Sequence, residues 1–231
     1  MLFRSVSQSR YLVCMFEYGN PNIQTNIGYG VGGSVGKYLW ESASSLKTGA
    51  TTSLGDNCGK IDISLVNGSD TGVDCSRVSE FGVEDRYNWQ YEMIQNIYFG
   101  SSSNSGQTGT EAYIYEGNRI PTTAELASHP NGNYRQLTRL TTSGYVKSII
   151  GSEYFDILAS AIGADSVSYL CDYTSNSNTG QLFLFGGHAS NGAYSGSFYV
   201  YSLSAFSSAP SNFGVRLAYY GKPSIVNGAD L

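Results

Sequence analysis

The sequence predicts an α+β fold in which short, twisted antiparallel sheets are mixed with a few short helices and long loops. Three observations carry that expectation. Period-two alternation of apolar and polar residues never lasts beyond a short segment, as in Ile61, Ile63 and Leu65 against Asp62 and Ser64. Stretches rich in Gly, Ser and Asn separate those segments, and strands do not alternate regularly with helices as they would around a parallel sheet. No internal repeat recurs at solenoid spacing.

In chain order, Tyr11 to Tyr18 is apolar and rich in β-formers, which predicts a strand. Asn20 to Gly36 alternates glycine with polar residues and predicts a loop. Leu39, Ala43 and Leu46 fall at helical spacing within Lys37 to Lys47. Lys60 to Val66 predicts a half-buried strand, and Gly100 to Gly109 a loop. Helices are expected from Thr122 to Ser128, stopped by Pro130, and from Ser152 to Ile162, where Tyr154, Leu158 and Ile162 share a face. Leu182 to Phe185, Ser197 to Leu203 and Val215 to Tyr220 close the series as strands. Residues 1–36 form an amino-terminal strand and Gly-rich loop, open to continuation from a longer natural protein. Residues 37–231 form the main domain.

Composition excludes several function classes. The chain of 231 residues carries a net charge of −5, so it lacks the clustered Lys and Arg of a nucleic-acid partner. No stretch is apolar for long enough to insert into a membrane, and Arg4, Gln8 and Arg10 interrupt the first residues, so no signal peptide is visible. Cys14, Cys58, Cys75 and Cys171 have no metal-ligand spacing, and only His129 and His188 could join them, so neither a metal nor a cofactor is expected. Cys58 and Cys75 could bridge in an oxidising space; without a visible secretion signal, free thiols are the expected state.

The catalytic motifs are spelling without context. Gly28, Gly30 and Gly33 match a dinucleotide fingerprint, yet no strand precedes them and no helix follows. Gly32, Ser34 and Gly36 match a nucleophile elbow that needs a parallel sheet. Glu80, Glu84, Asp85 and Glu92 supply enough carboxylates for a glycan hydrolase, the alternative enzymatic reading, if two of them face one cleft.

The strongest signal lies near the carboxy terminus. From Tyr173 to Val215 there is no Asp, Glu, Lys or Arg, although a charged share of 13% would place about six there. The Ser, Asn and Gly content argues against burial, because each buried polar group needs a partner. A surface kept neutral by function remains. In it, His188, Tyr194, Tyr199, Tyr201, Leu203 and Phe206 interleave with Ser190, Asn191, Ser195, Ser204 and Ser208. That mixture is the chemistry of antibody paratopes, in which Tyr gives contact area at low entropic cost and Ser and Asn give adaptable hydrogen bonds. Strand alternation places Phe198 and Val200 inside and presents Tyr199 and Tyr201.

Phe81, Gly82, Val83, Glu84 and Asp85, followed by Trp89, Tyr91 and Glu92, resemble the FGxxDxxGNxWEW segment of C-type-lectin-fold proteins of the formylglycine-generating-enzyme type. Asn212, Phe213, Gly214, Val215 and Arg216 resemble their closing strand. The stretch from Gly186 to Val200 is similar to the binding region of the variable proteins made by diversity-generating retroelements. In those proteins adenine-directed mutagenesis of AAY codons never yields Lys, Glu, Gln, Met or Trp, and Leu182 to Gly221 contains none of the five. The resemblance implies a C-type-lectin-like fold with a variable binding region over about residues 182–215. It implies no oxidase, since the enzymes' late cysteine pair has no counterpart beyond Cys171. The implied function is recognition of a protein or glycan ligand on a host or target cell, from a virion tail or a cell surface, with several copies on one particle as a homo-oligomer. A structural decoration protein holding a fixed partner is the other non-enzymatic alternative.

Overall fold

A computed structural model of the chain describes residues 2–3, 12–34, 48–63, 75–116, 122, 124–125, 134–150 and 158–214. Strands dominate these residues, with a few short helices. The strands are β1 (Leu2–Phe3), β2 (Gly59–Asp62), β3 (Ser76–Glu80), β4 (Val83–Glu84), β5 (Tyr91–Phe99), β6 (Glu111–Tyr115) and β7 (Tyr134–Thr138), followed by β8 (Gly144–Ile149), β9 (Ala159–Ile162), β10 (Tyr173–Asn176), β11 (Leu182–Phe185), β12 (Val200–Ser202) and β13 (Phe213–Gly214). Two short helices, α1 over residues 12–18 and α2 (Ile23–Asn26), precede the sheets. Asn22 caps α2 by accepting a hydrogen bond from the Thr25 amide.

Ten strands form one mixed sheet in the order β7-β6-β5-β11-β12-β10-β8-β9, and β2, β3 and β4 form a separate antiparallel sheet. The organising strand is β5. One of its edges pairs with β11, while β13, β1 and β6 take successive parts of the other edge. Asn96 sits at φ 72 in mid-strand, and the β5–β11 register shifts between Leu182 and Leu184. This irregularity inverts the alternation: Ile94 faces the core on one side of it, and Ile97 and Phe99 on the other.

The core lies against one face of this sheet. Ile94, Ile97, Phe99, Ile114, Phe183, Phe185, Phe198 and Val200 form its buried cluster, and Met15 of α1 packs against it. A second cluster joins Cys14, Ile23 and Ile27 to Val78 and Tyr87, so residues 12–34 are packed onto the small sheet. The glycine-rich loop is held by close approach: a Cβ on Gly32 would run into the Ala189 carbonyl and the Asn88 amide oxygen.

Several sequence expectations change: the loop expected from Asn20 to Gly36 contains helix α2, and the strand expected from Ser197 to Leu203 is confined to Val200–Ser202. Residues 12–18 are helical rather than extended. Their composition is apolar all round and so says nothing about period, and a helix turns Cys14, Met15 and Tyr18 inward while leaving Phe16 exposed. The helix expected from Ser152 to Ile162 ends in a strand: Leu158 is irregular and Ala159–Ile162 pairs antiparallel with β8. Four residues fit either period, and the free edge of β8 decides. Of the strand expected from Lys60 to Val66, residues 60–62 are extended, Ile63 is not, and 64–66 lie outside the described residues; the loop at 100–109 appears as read. At the expected helix start, Thr122 and Glu125 bond each other's backbone amides as a capping box. Helix 37–47, most of the helix begun at Thr122, strand 215–220 and residues 152–157 lie outside the described residues.

Arg139 joins the two halves of the large sheet. Only 5% exposed, it donates to the carbonyls of Gly100, Gly109, Ser177 and Gly180 and to Ser202 Oγ, and its guanidinium lies 4.2 Å above the Phe99 ring centroid. Burial lowers its pKa to about 10, which still leaves it cationic at neutral pH. Arg139→Met keeps most of the side-chain volume and strips four buried carbonyls of a donor. Urea denaturation is expected to show a loss of at least about 3 kcal/mol; a loss below about 1 kcal/mol would mean that water replaces the guanidinium.

Candidate functional site

The sheet face opposite the core is aromatic. Tyr91 and Met93 of β5, Leu182 and Leu184 of β11, Tyr201 of β12, the adjoining Tyr199, Tyr173 of β10 and Phe213 of β13 pack together on it. Tyr91 is the hub, with ring centroids 4.7 Å from His188, 4.8 Å from Tyr201, 5.8 Å from Phe213 and 6.0 Å from Tyr199. A second group of rings adjoins it: Tyr173 lies 4.6 Å from Tyr194 and 5.2 Å from Tyr145, and Tyr145 lies 5.5 Å from Tyr194. The offset and edge-on geometries are those that aromatic quadrupoles favour.

The depth of these rings is graded. Tyr91 and Tyr199 are buried at 3% and 1% exposure, Tyr201, Tyr173 and Tyr145 are half-buried, and Tyr194 stands out at 46%. Tyr199 shares a hydrogen bond with Ser175 Oγ at 3.0 Å, and burial raises its pKa to about 12, so it stays a neutral phenol. The expectation that Tyr199 is presented outward is therefore corrected. Phe198, Tyr199 and Val200 are all buried: Tyr199 lies just before β12, where its ring packs with Tyr91 and Leu184 and its hydroxyl bonds Ser175.

Ser195 is likewise fully buried, and His188 is 9% exposed. Burial lowers the His188 pKa to about 4, so the ring is neutral at physiological pH. Its two nitrogens lie 2.8 and 3.1 Å from Ser190 Oγ, and its backbone amide donates to Asn191 Oδ1. These contacts close a turn. Of the remaining expected residues, Ser190, Asn191, Tyr201, Ser204, Phe206 and Ser208 are partly accessible, and Tyr194 and Leu203 are exposed. Phe206 lies apart from the Tyr91 cluster, with its ring centroid 6.0 Å from that of Tyr98. Sequence reasoning missed Tyr91 and Tyr145, which come from strands before the neutral run, and Tyr173 and Phe213, which stand at its two ends. The alternation of Tyr91 and Met93 in β5 is the signal that could have found Tyr91.

The segment from 186 to 198 is anchored by polar side chains from outside the neutral run. Gln24 donates to the Ala193 carbonyl, and the Asn88 amide donates to those of Tyr29, Gly33 and, at 3.5 Å, Gly192. Glu80 accepts from Ser197 Oγ, and Asp172 accepts from the Phe198 amide at 2.7 Å. The neutral run is thus largely core in its middle, and these imported groups answer the objection that its polar atoms could not be buried.

The four carboxylates do not share a cleft. Glu80 and Glu92 are buried beside Arg86, at 3.7 and 3.4 Å, and Asp85 is buried against Arg77. Glu84 is partly accessible, but its Oε1 accepts from Gly49 N and Arg77 Nη2 and its Oε2 from Thr51 N and Oγ1. Burial opposes its ionisation, yet the Thr51 hydrogen bonds, the Arg77 charge and the Gly49 hydrogen bond hold its pKa below the usual value. All four of its lone-pair sites are filled, so the group serves as a pin. Each of the four carboxylates is thus engaged with Arg77 or Arg86.

All four cysteines are thiols. No helix among the described residues is long and apolar enough to cross a membrane. No protein-family model, curated protein or solved structure matches this chain.

Asp172 makes the anchor sensitive to pH. Its burial, with the Glu80 charge adding to it against the Phe198 and Cys171 hydrogen bonds, raises its pKa to about 7. A pKa raised on folding means that the native state holds a proton the unfolded chain has lost, so this contribution to stability is full below about pH 4 and fades as pH rises through about 7. Asp172→Asn removes the titration. Thermal melts are expected to show equal stabilities for the two proteins near pH 4 and a growing advantage for the variant from pH 5 to 8. A constant difference across that range would place the titration elsewhere.

Proposed function

We propose that this chain is a non-catalytic recognition domain with a C-type-lectin-like fold, of the kind diversified by retroelements, which binds a protein or glycan on a host or target cell. On this reading it is displayed at a virion tail or cell surface, and its contact surface is the outer margin of the aromatic sheet face. The observation that carries the proposal is the gradation of that face. A buried Tyr91–Tyr199 floor supports half-buried Tyr201, Tyr173 and Tyr145 and the exposed Tyr194, beside a segment from 173 to 215 that carries no charge.

The physical logic is that of a paratope. Rings already fixed by their neighbours lose little conformational entropy on binding, and Ser190, Asn191 and Ser204 beside them supply adaptable donors and acceptors. Anchoring by Gln24, Asn88 and Asp172 acts on the backbone of residues 192–198, so it does not depend on which side chains the accessible positions carry. Weak single-site binding would be raised by avidity when several copies share one particle.

The test is the pattern of natural variation. Sequencing the gene and its surroundings in several isolates is expected to show adenine-linked substitutions concentrated at Ser190, Asn191, Tyr194, Tyr201, Leu203, Ser204, Phe206 and Ser208, sparing Ser195 and Tyr199. A near-copy of that stretch and a reverse transcriptase are expected nearby. Variation spread evenly along the chain, with no template copy, would overturn the diversified reading.

A further inference from the structure

A second concavity lies away from the tyrosine face, between the turn at residues 48–55 and the β3–β4 hairpin. It has a volume of about 240 Å³, is half open to solvent, and is lined by Thr48, Thr51, Thr52, Gly82, Glu84 and Trp89, with Gly49 and Gly55 at the turn. It is smaller than the roughly 300–1,000 Å³ of drug-sized sites and so suits one small ring.

Its walls are preset. The turn is fastened to Glu84 through Gly49 N, Thr51 N and Thr51 Oγ1, and Glu84 is fastened in turn to Arg77. The Arg77 guanidinium lies 5.4 Å from the Trp89 ring centroid. Glycines at 55 and 82, both at positive φ, keep side chains out of the mouth.

The hydrogen-bonding character of the lining is one-sided. Thr51 gives its hydroxyl proton to Glu84, and Thr52 gives its own to the Gly49 carbonyl. Both oxygens are left with lone pairs only, so these two positions accept, while the Thr48 hydroxyl can donate or accept, which suits a ligand bearing hydroxyl groups. Charge narrows the class further. Arg77 faces two carboxylates, Glu84 and Asp85, which disfavours an anion, and it already occupies the cation position over the indole, which disfavours a second cation there. A neutral ring that presents hydroxyl donors at its rim and C–H groups to an indole meets every condition.

We propose that this cleft binds a neutral pyranose, a single sugar unit stacked on Trp89 and donating a hydroxyl to the exposed Thr52. The site is separate from the tyrosine face and does not rest on the reading given to that face: natural variation tests the one and sugar titration the other. Trp89 nonetheless connects them, since its backbone bridges to His188 and its carbonyl accepts from the Ala189 amide.

The experiment is titration of the whole chain with methyl glucoside, methyl galactoside, methyl mannoside and N-acetylglucosamine, followed by calorimetry and saturation-transfer NMR. Inorganic phosphate and choline serve as charged probes. At least one neutral sugar is expected to bind with a Kd on the order of 1 mM, a normal strength for one small ring. Trp89→Ala is expected to weaken it at least tenfold. Because that variant could lose its fold, Thr52→Phe, at an exposed position whose new ring fills the cleft, is expected to give the same loss at an unchanged melting temperature. No binding of any neutral sugar up to 50 mM, binding untouched by Thr52→Phe, or tighter binding of phosphate or choline would each overturn the proposal.

Discussion

The structure depends on burying backbone that has no charge of its own. From residue 173 to 214 the chain runs through the middle of the large sheet, and its carbonyls, amides and hydroxyls need partners that the segment lacks. They come from elsewhere: Arg139 reaches Ser177, Gly180 and Ser202, Glu80 takes Ser197, Asp172 takes the Phe198 amide, and Gln24 and Asn88 hold the turn at residues 192–193. A low-dielectric interior makes each of these contacts costly to lose. Several charged and polar side chains are thereby placed below the surface, beneath the charge-free segment.

That arrangement gives the sheet two unlike sides. One side is aliphatic and phenylalanine-rich and is closed by packing; the other is built from tyrosines whose rings support one another in tiers. Tyrosine is suited to the second role because its ring can be buried while its hydroxyl stays bonded, as Tyr199 shows with Ser175. The bulge at Asn96 keeps both sides intact across β5, where the chain would otherwise turn its alternation the wrong way round.

Much of this was legible in the sequence, and the failures share a cause. The charge-free run contains part of the aromatic face, and the alternation around Phe198 and Val200 found two core residues. What alternation cannot report is whether a strand has one buried face or two. Tyr199 precedes β12 and is covered by Tyr91 and Leu184, contacts that come from β5 and β11 and leave no mark on the local alternation. Residues 12–18 and 159–162 failed because a short apolar stretch carries no readable period, and the choice passes to tertiary contacts such as the open edge of β8. Tyr91, Tyr145 and Tyr173 were missed because the face is assembled from strands distant in sequence, which no local pattern encodes.

The central seam of the sheet pairs Met93 with Leu184 and Glu92 with Phe185, and the adjoining β10–β12 pair is parallel. Such contacts close large loops before they return any stabilisation, which slows folding in proportion to their sequence separation. During synthesis β5 waits with an unfilled edge until β11 has left the ribosome, so the domain matures only after most of the chain is made. A nascent chain in this state exposes a nine-residue strand edge bearing Met93, Ile94, Ile97 and Phe99, and shielding of that edge in the interval bears on its yield in a cell.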